Sequence, residues 1–331
     1  MVGGFALLIW IVRPRPAVGP LQLIGSDVDG LVMIELNRSS VRVNRFLEPL
    51  IRPISYEVQS RPEDLARELF DLLDVMTFRC AMGLLRYDPV ADREHWALVV
   101  PLKRMADPLK VAVKQVVARE TTAKVETETS GGALLFWGKP EMPCFAIEQR
   151  ALVVAGDRQW LGEILRRVGN PLARTSRATD LYSGLPEGGK HCLARACILT
   201  PPKRWEHWAG PSRSSSPLGQ PVARVHRFLE ECGLGPTDIQ TLCIAAVVQP
   251  RGRMQFDLRI SCGDTSALPA LARRVKEKRP SLSLLLQGRD VAEVIEPTTT
   301  SAGLSFGWRM PPLEQVLDLG ASDLPATSSP K

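Results

Sequence analysis

The feature that most constrains this chain is a seven-residue stretch that occurs twice. Residues 42–48 read Arg-Val-Asn-Arg-Phe-Leu-Glu, and residues 224–230 keep six of the seven identities, with histidine in place of asparagine. A second match accompanies it, because the apolar strand pattern around Cys80 returns around Cys243. Similar segments that recur in the same order indicate duplication of a structural unit. The sequence therefore predicts two tandem copies of one domain.

Each copy is predicted to follow the same order of strands and helices. Short turns between neighbouring strands imply antiparallel pairing, with helices covering one face of the sheet. Leu268, Leu271 and Val275 are spaced as one buried helical stripe. The predicted fold class is α+β, with two tandem duplicated domains, each an antiparallel sheet with helices packed on one face. The predicted strands are two short strands within 21–36, then 78–85, 96–102, 133–137, 144–148, 151–154, 192–199, 241–248, 254–261, 284–286, 291–296 and 303–306.

The predicted domain boundaries follow the shifts in composition along the chain. They are an apolar N-terminal segment with a Pro/Arg linker (1–20), a first α+β repeat (21–170), a linker (171–190), a second α+β repeat (191–320) with a loop insertion (201–220), and a disordered tail (321–331). The first copy carries extra residues around a predicted helix at 62–75. Either this helix is an insertion, or it is the true counterpart of the helix at 224–230 and the echo of the heptad is chance.

An uninterrupted apolar run of eleven residues lies at 2–12. A helix needs about 20 apolar residues to span a bilayer, so the run indicates the tail of a signal anchor that starts upstream, a partial membrane contact or a buried strand. Arg13 and Arg15 follow it, and basic residues beside a span favour keeping that side cytoplasmic. We expect membrane association at the cell envelope, with the side of the membrane left open.

Charge and cysteine usage restrict the function classes further. The net charge of the 331 residues is +6, and basic helix faces near Lys110 and Arg273 are an alternative site for nucleic acid or acidic lipid. Few aromatic residues accompany them, which disfavours a stacking platform for single strands. The seven cysteines have no regular spacing and several lie in apolar runs. They are interpreted as buried free thiols rather than a disulfide framework.

Asp27 and Asp29 are the strongest candidates for catalysis. An Asp-x-Asp-Gly sequence after an apolar stretch resembles the nucleophile loop of haloacid-dehalogenase-type phosphatases, in which one carboxylate attacks phosphorus. Here the loop continues into Leu31-Val32-Met33-Ile34, a strand-like run without the expected βαβ alternation. The alternative is a turn formed by aspartate and glycine. A phosphatase-like hydrolase therefore remains an alternative function, and no catalytic residue is assigned.

A metal site and a cofactor site are not predicted. His191, Cys192, Cys197 and His207 form the only cluster that suggests zinc, which needs four convergent ligands. Cys192 and Cys197 lie five positions apart, an odd offset, so a shared strand would place their side chains on opposite faces. The isolated glycine pairs at 131–132 and 188–189 fall short of a phosphate-binding loop.

Trp205, His207 and Trp208 lie in the predicted loop insertion and are the candidate binding residues. Exposed tryptophans often anchor a partner, while the alternative is that they fold back onto their own domain. The layout as a whole resembles envelope-anchored bacterial proteins of unknown function that carry tandem α+β repeats. It implies a non-enzymatic, membrane-associated binding or scaffold protein that acts on a protein partner or a second copy of itself.

Overall fold

The structure is a computed structural model that describes about half of the chain. The described residues are 18–35, 80–102, 110, 126–130, 133–137, 143–170, 172, 175–209, 227–235, 239–250, 253–263, 266, 268–277, 293–300 and 303–312. The apolar run, the first heptad, the predicted helix at 62–75 and the tail lie outside them.

Twelve strands and five helical segments make up these residues. The strands are β1 Gly30–Glu35, β2 Cys80–Asp88, β3 Arg93–Pro101, β4 Glu126–Ser130, β5 Ala133–Trp137, β6 Cys144–Ile147, β7 Ala151–Ala155, β8 Cys192–Leu199, β9 Ile239–Val248, β10 Arg253–Cys262, β11 Glu293–Thr300 and β12 Gly303–Pro312. The helices are α1 Arg158–Gly169, α2 Ser176–Gly184, α3 Pro202–Ala209, α4 over 227–231 and α5 Leu268–Glu277. A single 3-10 turn at Pro20–Gln22 precedes β1.

All twelve strands join one sheet in the order β11-β12-β10-β9-β8-β1-β2-β3-β7-β6-β5-β4. Each neighbouring pair is antiparallel. Strands from the first predicted repeat occupy one side, strands from the second occupy the other, and β1 pairs with β8 where they meet. The antiparallel α+β class is thus confirmed, and the two predicted repeats share one continuous sheet.

Side chains alternate between the two faces of a strand, so β1 contributes to both faces. Leu31 and Met33 define one face, called the Leu31 face. The buried stripe of α1, which includes Trp160 and Ile164, packs on this face together with α2. Asp157 caps α1 by accepting a hydrogen bond from the Trp160 N–H at 2.8 Å. The Leu31 face therefore carries the core of the first half of the sheet.

The opposite face, called the Val32 face after the β1 residue that points to it, carries the core of the second half. Helices α3, α4 and α5 pack there against β9, β10 and β12. The predicted stripe of Leu268, Leu271 and Val275 is buried in this cluster, and each such side chain contributes about 1.5–3 kcal/mol of burial free energy. Described helices therefore cover both faces of the shared sheet, one face in each half.

Three local predictions differ from the structure. The first of the two strands expected within 21–36 is replaced by the 3-10 turn, because Pro20 fixes a turn conformation and lacks an N–H for a sheet. Within the predicted linker 171–190, α2 forms behind its N-cap Thr175. The predicted loop 201–220 begins with helix α3, since a proline in the first turn of a helix costs no hydrogen bond.

Within the described ranges, no helix combines the length and the apolar character needed to cross a membrane.

Gly303 begins β12 so close to β10 that a Cβ atom would overlap the carbonyl oxygen of Ile260. That oxygen belongs to paired backbone, so we expect Gly303→Ala to lower the free energy of unfolding by about 2 kcal/mol. The control is Gly162→Ala on α1, where a Cβ meets nothing within 4 Å and alanine gains about 0.5–1 kcal/mol in a helix. Urea denaturation followed by circular dichroism measures both variants. Equal midpoints would contradict the close approach of β10 and β12.

Candidate functional site

Several ion-paired side chains lie at one end of the central strands. The antiparallel pairing brings together the start of β1, the end of β2, the start of β3 and the end of β8. Helix α3 follows β8 directly, so it lies over the same end of the sheet. Two charge clusters form there, one on each side of the sheet.

The first cluster is a buried triad of Asp29, Glu94 and Arg204, called the Arg204 triad. Arg204 Nη1 donates to Asp29 Oδ1 at 2.6 Å, and Arg204 Nε donates to Glu94 Oε1 at 2.8 Å. Nη1 also donates to the carbonyl oxygen of Leu199 at 3.0 Å. The Arg204 side chain is 0% exposed, and the two carboxylates are 7% and 8% exposed. The triad therefore fixes α3 to strands β1 and β3.

Burial raises the pKa of Asp29, since a carboxylate loses its hydration there. The Arg204 guanidinium and the Tyr87 N–H, which donates to Asp29 Oδ2 at 3.0 Å, act in the opposite direction and only partly offset burial. The Arg204 guanidinium thus pairs with the two carboxylates in a site from which water is largely excluded.

Next to the triad, a group of polar side chains joins the β2–β3 turn to α3. The Tyr87 hydroxyl shares its proton between Asp92 Oδ1 at 2.8 Å and the Lys203 carbonyl oxygen at 3.1 Å. His207 Nδ1 lies 2.9 Å from the same Asp92 oxygen. The hydrogen bond from Tyr87 lowers the pKa of Asp92, and the contact with His207 lowers it further. Asp92 therefore accepts from two sides and holds the turn against the helix.

The second cluster surrounds Trp160 on the Leu31 face and is called the Trp160 cluster. Arg167 Nη2 donates to Asp27 Oδ2 at 2.7 Å, and Arg86 Nη1 donates to Glu163 Oε2 at 3.2 Å. The two guanidinium carbons lie 5.1 and 5.2 Å from the indole centroid, within the range of cation–π attraction. The two ion pairs and the ring thus hold α1 against the end of β2.

A histidine–aspartate pair adjoins the Trp160 cluster. His95 Nδ1 lies 2.6 Å from Asp157 Oδ2, and the same carboxylate caps α1. Burial acts to raise the pKa of Asp157, but the hydrogen bonds from His95 and from the Trp160 N–H outweigh it, so that pKa is lowered. Asp157 is therefore a structural acceptor for two donors at once.

The two candidate catalytic carboxylates have separate structural partners. Asp27 is bound by Arg167 in the Trp160 cluster, and Asp29 is bound by Arg204 in the buried triad. A phosphatase mechanism would need one of them free to attack and the other free to move a proton. The hydrolase remains a sequence-based alternative that this geometry does not favour.

The candidate binding residues have different positions. Trp205 is 2% exposed and packs in the core of the Val32 face, so it is buried rather than displayed. The side chain of His207 is only 10% exposed and contacts Asp92. Trp208 belongs to α3, and its side chain lies outside the description.

The residues suggested for zinc do not come together. Cys197 lies opposite Cys243 on the neighbouring strand, and His207 contacts Asp92. Among the residues that the structure describes, no three His, Cys, Asp or Glu side chains form a group that could hold a metal ion.

Sequence reasoning missed Arg204, Glu94, Tyr87 and Asp92. Pro201-Pro202 before an amphipathic segment was a usable signal for the start of α3. The triad itself had no local signal, because its members lie far apart in sequence and meet only through the sheet. Comparison of the chain with protein family models, with curated proteins and with solved structures found no match.

Replacing Arg204 with methionine leaves Asp29 and Glu94 buried without a counter-charge. We expect Arg204→Met to lower the free energy of unfolding by about 3–5 kcal/mol at pH 7. The folded-state pKa of Asp29 is already above its unfolded value, and it rises further in the variant. The folded state therefore takes up a proton more readily, so the deficit shrinks as the pH falls from 7 towards 5.

Urea denaturation at several pH values measures this effect. The control is Arg273→Met on α5, where the side chain is 76% exposed and a change within about 0.5 kcal/mol is expected. The variant that also carries Asp29→Asn and Glu94→Gln should recover part of the loss at pH 7. A deficit in Arg204→Met that is small or independent of pH would contradict the assignment of the triad.

Proposed function

We propose that this chain is a non-enzymatic binding or scaffold protein that acts through protein–protein contacts, in which two tandem repeats share one sheet. The observation that carries the proposal is the β2–β3 turn, which presents an exposed apolar side chain on a rigid support. Val90 at its tip is 94% exposed. An isolated exposed valine is ordinary, so the support around it is what matters.

The turn is held by hydrogen bonds on both sides of Val90. Asp88 Oδ1 accepts from the N–H groups of Val90 and Ala91 at 2.8 and 3.1 Å. Asp92 adopts a φ of 46°, a left-handed conformation that aspartate tolerates, and Tyr87 and His207 fix its carboxylate. A partner that binds the turn would therefore pay little entropy to order it.

The surroundings of Val90 have the composition of a small protein interface. Exposed apolar residues come from the turn and from the start of α3, and exposed charged residues border them. Protein interfaces commonly combine an apolar centre with a polar rim. This set is called the Val90 surface, and it fits a protein partner with a shallow apolar pocket. Its residues are Pro89, Val90, Ala91, Asp92, Arg93, Pro201, Pro202, Lys203 and Glu206.

The strand registers support the proposed duplication. The sequence repeat makes Met82 of β2 equivalent to Ala245 of β9. Met82 pairs with Met33 on β1, and its equivalent pairs with Arg195 on β8. Met33 and Arg195 also pair directly with each other. A two-fold axis perpendicular to the sheet through this pair would superimpose the central strands of the two repeats, whereas the described helices of the two halves lie on opposite faces.

Such a two-fold axis would determine where a scaffold protein with this sheet holds its two corresponding surfaces. Strands β2 and β9 run in opposite directions on either side of the axis, so the β2–β3 turn and the β9–β10 turn lie at opposite ends of the sheet. A duplicated chain with one continuous sheet would hold corresponding surfaces at a fixed separation. That property suits a protein that brings two partners together.

Affinity capture tests the proposed surface. The immobilised full chain is incubated with a detergent-solubilised lysate, and bound proteins are quantified by mass spectrometry. We expect at least one protein to be captured by the native chain and by Arg273→Ala, and to fall about tenfold with Val90→Glu, because one central interface residue commonly contributes more than 1 kcal/mol. Capture of no protein, or equal capture by all three chains, would contradict the proposal.

Membrane association is the second part of the proposed function, and residues 2–12 carry it. Cell fractionation tests it with the native chain and a variant that lacks these residues. We expect the native chain to sediment with membranes and the shortened chain to remain in the supernatant, since removal of the apolar run removes the hydrophobic contact with lipid. Equal distribution of the two chains would contradict membrane attachment through residues 2–12. The proposed role of the Val90 surface would not be tested by that result.

A further inference from the structure

Cys197 and Cys243 lie directly opposite each other on β8 and β9. Their sulfur atoms are 3.5 Å apart, and both side chains are buried in the core of the Leu31 face. Directly opposite residues of antiparallel strands have Cα atoms about 4.5–5.5 Å apart, and disulfides join Cα atoms about 4.4–6.8 Å apart. A bond between the two sulfurs therefore needs side-chain rotation and no movement of the strands.

The pair belongs to a row of side chains that crosses five strands on the Leu31 face. In order, the row is Leu31, Cys197, Cys243, Arg259 and Ser305. Leu31 is fully buried and Arg259 is exposed. Cys243 therefore lies where the apolar core ends and the polar part of the face begins, with a guanidinium as its outer neighbour.

The surroundings of the two thiols differ in a way that makes one of them the nucleophile. The contact with Cys197 lowers the pKa of Cys243, and Thr241 and Arg259 act in the same direction, while burial opposes them. The same contact and burial raise the pKa of Cys197. A thiolate is the reactive form of cysteine, and an adjacent cation stabilises it. Cys243 is the member of the pair that lies directly opposite Arg259, and this cation favours a thiolate at Cys243.

We propose that Cys243 and Cys197 form a peroxide-oxidised dithiol pair, in which Cys243 reacts first and Cys197 closes a disulfide. The Cys243 sulfur attacks one oxygen of hydrogen peroxide, the O–O bond breaks, and the leaving hydroxide takes up a proton to become water. Cys243 is then a sulfenic acid. Cys197 attacks the Cys243 sulfur, the S–O bond breaks, and a second water leaves with the Cys197 proton. The two thiols lose two electrons, and the peroxide gains them.

The disulfide would join β8 to β9 across the segment that contains α3 and α4. A cross-link restricts the unfolded chain, so the oxidised protein should melt about 5 °C higher than the reduced protein. The cross-link would also fix the strand from which α3, and with it the Val90 surface, departs. Oxidation would therefore stabilise the support of that surface.

The test treats the native full chain with hydrogen peroxide, blocks free thiols with N-ethylmaleimide in denaturant, and identifies linked peptides by mass spectrometry. We expect a linkage between Cys197 and Cys243 and none at Cys144. Cys144 is the internal control, because burial raises its pKa to about 11 and its thiol donates to the Ala155 carbonyl oxygen. Both thiols remaining free, or a linkage to another cysteine, would overturn the proposal.

The order of reaction is tested with dimedone, which traps sulfenic acids. We expect dimedone at Cys243 in Cys197→Ser, and no dimedone at Cys197 in Cys243→Ser. In case a variant misfolds, dimedone present during brief oxidation of the native chain should label Cys243 rather than Cys197. Arg259→Gln should slow disulfide formation several-fold, because the cation beside the thiolate is lost. Labelling of Cys197 instead, or an unchanged rate in Arg259→Gln, would overturn the assignment of Cys243 as the nucleophile.

Discussion

The pairing of β1 with β8 is the contact on which the rest of the structure depends. It joins strands from both predicted repeats, sets Leu31 opposite Cys197 and brings the end of β8 beside the start of β1. Helix α3 follows that end, so the same pairing delivers Arg204 to Asp29. Because side chains alternate along a strand, a slip of one residue would turn Leu31 out of its core and separate these charges.

The Arg204 triad contributes to register more than to net stability. Removing charges from water costs free energy that a buried ion pair recovers only with good geometry. Here the geometry is good, with donor–acceptor distances of 2.6 and 2.8 Å. Any other pairing of β1 and β8 would leave a carboxylate or the guanidinium buried without its partner. The cost of that arrangement disfavours alternative registers, and the native register then places the β2–β3 turn against α3.

Most of the described strands were predicted, because apolar runs bounded by turn residues have a local physical cause. The hairpins around Cys80 and Cys243 and the buried stripe of α5 are of this kind. Strand β4 was not predicted, because its sequence Glu-Thr-Glu-Thr-Ser has no apolar run. Helix α3 was missed because residues 201–220 were interpreted as a loop insertion, although proline is favourable in a first helical turn. The burial of Arg204 and the Cys197–Cys243 contact depend on pairing between strands distant in sequence. No local pattern carries that information.

Hydrogen–deuterium exchange on the native full chain tests the shared sheet most directly. Amides at the centre of a continuous sheet open only with large-scale unfolding, whereas edge strands exchange through local opening. In a continuous sheet, 31–34 and 194–198 should exchange as slowly as β9 and β2, and much more slowly than β11. Rapid exchange at β1 and β8, with β2 and β9 still protected, would mean that the two halves form separate sheets, and would contradict the account.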